Sequence, residues 1–168
     1  MIVAFRVDAS NVIGTGHVMR CLSLAQRIKN SGDTVIFVCR ELPGNLCDEI
    51  ERRGFTTLRL KGDEKEATTF CAKEPKHAAW LGTTWQLDAL QTCSLLKPLA
   101  PLDWLVVDHY SLGACWEKVL RPLAKKLMAI EDLFDRPHDV DILLNQIILR
   151  GSEVSYQDPL PNYCSQLL

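Results

Sequence analysis

Short apolar runs alternate along the first sixty residues with longer segments in which apolar residues recur at three- and four-residue steps. The runs at residues 2–7 and 34–39 are typical of buried strands, and residues 56–60 fit a third strand. Between them, the spacing predicts helices over residues 17–30 and 46–53. The pattern therefore predicts the element order β-α-β-α-β.

The rest of the chain continues this alternation. The predicted elements are helices over residues 85–96 and 113–125 and strands over residues 104–107, 127–130 and 142–144. Residues 63–73 fit a short helix, and residues 75–82 fit irregular chain or a weak strand. Buried strands separated by helices predict an α/β protein with a Rossmann-like, doubly wound parallel sheet.

Composition and charge narrow the class of protein. A chain of 168 residues, 47% of them hydrophobic, is long enough for one core and too short for two ordinary domains. A net charge of −2 and the absence of Lys/Arg blocks argue against nucleic acid or a membrane surface as a partner. The chain opens on a strand pattern without a signal peptide, so we expect a cytoplasmic protein with no membrane insertion.

The cysteines and two of the histidines give no ligand pattern. Seven cysteines are scattered without Cys-x-x-Cys or zinc-type spacing, and we expect them to be reduced. His77 and His138 have no ligand-type neighbours, and we interpret them as structural or exposed. We therefore expect neither a metal nor a cofactor.

The end of the chain differs from the rest. It holds Pro159 and Pro161 and finishes on an apolar pair, which fits the beginning of a strand or a linker better than a frayed terminus. We hypothesise that residues 1–150 form an N-terminal domain. Residues 151–168 would then be a tail or linker toward a C-terminal domain, and the chain would be an N-terminal half.

Polar residues cluster where a ligand would bind. In an open parallel sheet, ligands occupy the crevice beyond the carboxyl ends of the strands. The residues that follow the predicted strands there are Asp8, Ser10, Asn11, Arg40, Asp108, His109, Tyr110, Glu131, Asp132, Asn145 and Gln146. Since polar residues follow any buried strand, this distribution indicates where a ligand would bind but not which reaction the site would perform.

The segment IGTGHVMR at residues 13–20 is the most distinctive motif. Gly14 and Gly16 permit a tight turn and close approach of a substrate, and the free amides of the helix start point toward whatever binds. The motif is not a dinucleotide fingerprint, because Met19 stands where the third glycine is expected, and it lacks the P-loop's Gly-Lys-Ser/Thr ending.

His17 is the candidate base of this segment. The positive end of the helix dipole disfavours imidazolium, so a neutral ring would be available to accept a proton. Arg20 lies one turn on and would offer a cation to phosphate or sugar oxygens. The alternatives are a capping or packing histidine and a solvated surface arginine.

Two aspartates are candidate partners. Asp8 would orient His17 or Arg20, or form an Asx-turn. Asp108 belongs to a second cluster with His109 and Tyr110, with the alternative that Asp108 caps the following turn while His109 packs. The candidate substrate-binding set is Gly14, Gly16, Arg20, Asp8, Asp108 and Tyr110.

Together these segments resemble the UDP-sugar hydrolases of pseudaminic acid biosynthesis, which act on UDP-2,4-diacetamido-2,4,6-trideoxy-β-L-altropyranose. The resemblance covers nearly the whole chain. It rests on FRVDAS at 5–10, IGTGHVMRC at 13–21, WLG at 80–82, WLVVDHY at 104–110, DRPH at 135–138 and DILL at 141–144. One departure is Glu131-Asp132, which stands where two aspartates are expected.

The resemblance implies a two-domain fold similar to type-B glycosyltransferases, in which the C-terminal domain holds most of the nucleotide. His17 would be the general base that activates water for inverting attack on the anomeric carbon, with release of UDP and no metal. Tyr110 would line the sugar pocket. This chain alone would show little or no hydrolysis.

Two other functions stay open. One is a glycosyltransferase of the same fold, which passes the sugar to an acceptor instead of water. The other is a non-catalytic binding domain of a polysaccharide-biosynthesis protein.

Overall fold

A parallel sheet forms the centre of the computed structural model, which describes residues 1–61, 76–146 and 160–167. Its strands are β1 (Ile2–Val7), β2 (Thr34–Arg40), β3 (Thr56–Leu60), β4 (Leu102–Asp108), β5 (Ala124–Ile130), β6 (Ile142–Leu144) and β7 (Ser165–Leu167). They pair in the order β3-β2-β1-β4-β5-β6-β7, all parallel. This confirms the predicted doubly wound sheet. The strand order reverses between β1 and β4, which is where such sheets bind ligands.

Helices cover both faces of the sheet. They are α1 (Gly16–Asn30), α2 (Cys47–Arg52), α3 (Trp85–Leu96) and α4 (Ala114–Leu120). Alternate residues of β1 enter two separate cores, with Phe5 and Val7 packed beside Val18 of α1, and Ala4 in the core that holds Trp116 of α4. Among the described residues, none of the helices is both long and apolar enough to cross a membrane.

Several element boundaries differ from the prediction. The helix predicted over 113–125 ends at Leu120, because Pro122 supplies no amide to continue it. A 3₁₀ turn over Arg121–Leu123 follows, and Ala124 already belongs to β5. Ala78–Leu81 forms a 3₁₀ turn and not a weak strand. One strand more than the sequence pattern predicts is present, since β7 follows the strand over 142–144 and pairs with it. The helix predicted over 63–73 lies outside the described residues.

A buried ionic network ties α3 to the sheet. Asp88 of α3 accepts hydrogen bonds from Arg6 (2.6 Å) and Arg40 (2.8 Å), and all three side chains are fully buried. The indole N–H of Trp116 also donates to Asp88, over 2.9 Å. Burial opposes ionisation of Asp88, but the charge and hydrogen bonds of Arg6 outweigh it and lower the pKa of this carboxyl.

A second buried cluster surrounds His138. Its Nδ1 lies 2.6 Å from a carboxylate oxygen of Glu117, and its Nε2 lies 3.2 Å from one of Glu131. Burial opposes the charged imidazolium, but the two carboxylates outweigh it and raise the pKa of His138 to about 9. His138 is therefore a charged structural residue, as the sequence interpretation allowed.

This cluster should make stability depend on pH. The pKa of His138 is higher in the folded chain than its ordinary value near 6.5, so its contribution is complete below about pH 6.5 and is lost as pH rises through about 9. A shift of this size corresponds to roughly 3 kcal/mol. Urea unfolding should show a free-energy gap between wild type and His138→Gln that is large at pH 6 and shrinks by pH 9. A gap that stays constant with pH would contradict this assignment.

Candidate functional site

A tight turn connects β1 to α1 at the switch point. The hydroxyl of Ser10 accepts hydrogen bonds from the amides of Val12 (3.2 Å) and Ile13 (3.0 Å), and the Gly14 amide donates to the Ser10 carbonyl. Gly14 has a φ of +79°, which favours glycine. A Cβ added at Gly14 or Gly16 would meet no described atom within 4 Å. The turn thus leaves open space beside the start of α1.

His17 and Asp108 form a hydrogen-bonded pair in this crevice. The Nδ1 atom of His17 lies 2.6 Å from Oδ1 of Asp108, and the two residues are 8% and 0% exposed. Burial opposes ionisation of Asp108, but hydrogen bonds from Arg20 and His17 outweigh it and lower the pKa of this carboxyl. Because an ionised carboxylate only accepts hydrogen bonds, Nδ1 of His17 is the donor to Asp108, and in a neutral ring Nε2 is then the nitrogen with a free lone pair.

Arg20 braces this pair from the next turn of α1. Its Nε and one terminal nitrogen donate to the two oxygens of Asp108, over 2.5 and 2.6 Å, and its other terminal nitrogen donates to Asp132. The alternative of a solvated surface arginine is therefore wrong, since the side chain is only 20% exposed and held by two carboxylates. With its charge balanced in this way, Arg20 fixes the carboxylate that orients His17.

Tyr110 closes one side of the crevice. Its hydroxyl donates to Asp132 over 2.9 Å, and its ring meets the His17 ring edge-on with 4.5 Å between centroids. Burial and the hydrogen bond to Asp132 raise the pKa of Tyr110 to about 12, so the hydroxyl stays protonated. Tyr110 thus shapes the crevice and exchanges no proton at neutral pH.

Asp8 lies on the opposite face of the sheet from His17. It is fully buried, accepts hydrogen bonds from Arg6 and from the Arg40 amide, and lies 3.2 Å from Nε2 of His109. The prediction that Asp8 orients His17 or Arg20 is wrong. Residues two apart on a strand share a face, so Asp8 points with Arg6 away from α1. His109 packs there, as one interpretation expected, and burial lowers its pKa.

Sequence reasoning missed part of the site. His77, interpreted as structural or exposed, lies ring to ring with Trp80 (4.3 Å) and near Tyr110 (5.8 Å). The WLG segment at 80–82 contributes to the family resemblance, but the sequence alone gives Trp80 no role. Asp132 follows a predicted strand, and the sequence pattern does not show that it would bind Arg20 and Tyr110. Within residues 1–61, 76–146 and 160–167, no group of three or more His, Cys, Asp or Glu side chains is arranged to hold a metal ion.

Comparison with known proteins shows distant relatives. No family model matches the chain. It is 29% identical over 146 residues to UDP-2,4-diacetamido-2,4,6-trideoxy-beta-L-altropyranose hydrolase of Campylobacter jejuni, an alignment that covers 86% of this chain and 41% of the relative. It is 25% identical over 159 residues to the uncharacterized protein MJ1062 of Methanocaldococcus jannaschii, covering 92% and 26%. The chain thus spans less than half the length of both curated relatives.

The fold also matches a solved structure. The crystal structure of MurG from Acinetobacter baumannii superposes with a TM-score of 0.56 at 9% identity, over 92% of this chain and 43% of that chain. At this identity the likeness concerns the fold alone. It shows that the chain shares the α/β fold of a little under half of the MurG chain.

Proposed function

We propose that this chain forms the base-bearing half of a hydrolase that cleaves the anomeric C–O bond of a UDP-linked diacetamido-trideoxy sugar, in the biosynthesis of pseudaminic acid or a related surface glycan. The observation that carries the proposal is the His17–Asp108 pair at the switch point of the sheet. The pair lies beside Gly14 and Gly16, which have free space next to their Cα atoms. The similarity to the Campylobacter jejuni hydrolase supports the choice of substrate.

The proposed reaction uses His17 as a general base. Its Nε2 takes a proton from a water molecule while the water oxygen attacks the anomeric carbon from the face opposite UDP. The C–O bond to UDP breaks with inversion, and its electron pair leaves on the β-phosphate oxygen. The Asp108 carboxylate, held ionised by Arg20, stabilises the imidazolium that forms.

The leaving diphosphate needs its own stabilisation. Arg20, the cation beside His17, is already matched by Asp108 and Asp132. Stabilising charge or amides for UDP would therefore come from a C-terminal nucleotide-binding domain of the same protein. On this account, the chain alone shows little or no hydrolysis, and activity belongs to the polypeptide that carries both domains.

Product analysis tests the proposal and separates it from its rivals. The full-length polypeptide, incubated with the UDP-altropyranose substrate and a metal chelator but no acceptor, should give equal amounts of UDP and free sugar. UDP release that requires an added acceptor would instead indicate a glycosyltransferase. Tight binding of the substrate with no turnover would indicate a binding domain.

A further inference from the structure

Three rings cluster on one side of His17, with Tyr110 in contact with the His17 ring, and form what we call the aromatic wall, made of His77, Trp80 and Tyr110. The Trp80 ring lies 4.3 Å from the His77 ring and 6.0 Å from the Tyr110 ring, centroid to centroid. All three side chains are half-buried, so each ring keeps part of its surface open. No step of the proposed hydrolysis uses Trp80 or His77.

The wall is held in place from several sides. The hydroxyl of Ser111 donates to the His77 carbonyl over 2.6 Å, and the Trp80 amide donates to the same carbonyl over 2.9 Å. At the other end of the 3₁₀ turn, Gly82 takes a φ of +68°, which few other residues adopt. These contacts fix the backbone that carries the His77 and Trp80 rings, which lowers the conformational entropy lost when a ligand packs against them.

The indole N–H of Trp80 has no acceptor within the described part of the chain. Trp116 offers the contrast, since it is 1% exposed and its indole N–H donates to Asp88. A tryptophan N–H beside a binding crevice usually finds a partner when it becomes buried. The wall therefore combines open apolar ring surface with one unused hydrogen-bond donor.

We infer that the aromatic wall is a sugar subsite that selects a deoxygenated, acetamido-bearing ring, an inference that rests on the proposed function. The C–H face and methyl group of such a sugar would pack on the rings, and an acetamido carbonyl would accept the hydrogen bond from Trp80. A fully hydroxylated hexose would lose water from hydroxyls that the rings cannot bind. The Tyr110 ring lies 4.5 Å from the His17 ring, which puts the subsite beside the base.

Indole resonances of the full-length polypeptide, labelled with ¹⁵N, would report binding directly. The probes are free 2,4-diacetamido-2,4,6-trideoxyaltrose and free altrose, and Trp80→Phe identifies the Trp80 signal. We expect the diacetamido sugar to shift the Trp80 signal in a saturable way and altrose to shift it at least tenfold more weakly. The buried Trp116 signal is the internal control and should stay in place.

Kinetic measurements on Trp80 variants test the subsite separately from the proposed hydrolase activity. Trp80→Ala should raise KM for the UDP-sugar at least tenfold with a smaller change in kcat, and Trp80→Phe, which keeps a ring but no N–H, should fall in between. A Trp80 signal that ignores the diacetamido sugar, or follows altrose equally, would overturn the subsite even in an active hydrolase. A saturable, selective shift in a protein that hydrolyses nothing would support the subsite and refute the proposed function.

Discussion

Replacing His17 by alanine is expected to slow UDP release by the full-length polypeptide by roughly 10²- to 10⁴-fold, the usual contribution of a general base. Asp108 holds Nδ1 of His17, which leaves Nε2 as the nitrogen that would take the proton, and the Tyr110 hydroxyl beside this ring stays protonated. The measurement is the initial rate of UDP formation from the UDP-altropyranose substrate without an acceptor.

Two further variants sharpen this test. Asp108→Asn keeps the base but loses its orienting carboxylate, and a smaller loss of roughly ten- to a hundredfold is expected from the misplaced ring. Gln26→Ala is the control, since Gln26 is exposed on the same helix, and it should keep the wild-type rate. A folded His17→Ala protein with wild-type activity would remove His17 from the mechanism.

Replacing Asp88 by alanine is expected to reduce the free energy of unfolding by about 3 to 5 kcal/mol, the usual result of removing one partner of a buried ion pair. Arg6 and Arg40 are fully buried, and both donate to Asp88. Asp8 would still pair with Arg6, but no other described carboxylate pairs with Arg40. Urea unfolding of this chain, followed by far-UV circular dichroism, measures the loss.

Glu51 provides the matched control for Asp88. It also pairs with an arginine, Arg59, but both side chains are substantially exposed. Exposed pairs contribute little, so Glu51→Ala should leave the unfolding midpoint nearly unchanged. If both variants lost the same free energy of unfolding, the buried network would contribute no more to stability than an exposed ion pair. If Asp88→Ala does not fold, Asp88→Asn, which keeps the volume, should still be markedly less stable than Glu51→Ala.

The sequence pattern predicted the sheet well because short apolar or β-branched runs alternate along the chain with segments of helical spacing. Ile2–Val7, Thr56–Leu60 and Ile142–Leu144 match their predicted bounds. The pattern failed where helix and strand follow each other directly. Around Pro122, apolar residues continue at helical spacing after the helix has ended, and only the missing amide of the proline marks the change.

The sequence identified most residues of the candidate site but not the contacts between them. His17, Arg20, Asp108 and Tyr110 were all candidates, but His17 and Asp108 are 91 residues apart in the chain. Which aspartate faces α1 depends on register. Asp108 pairs with Val7 across β1 and β4 and shares its face, whereas Asp8 lies on the opposite face. The alternation of side chains within one strand does not tell which residues of a neighbouring strand lie on the same face, because the sequence does not give the register between strands.

The most direct test of the proposed hydrolysis is the position of oxygen from water in its products. The full-length polypeptide is incubated with the UDP-altropyranose substrate in ¹⁸O-labelled water, and both products are analysed by mass spectrometry at early times, before the free sugar exchanges its anomeric oxygen. The account predicts the label on the anomeric carbon of the sugar and none in UDP. Label in the β-phosphate of UDP would show P–O cleavage and would contradict attack by a His17-activated water at the anomeric carbon.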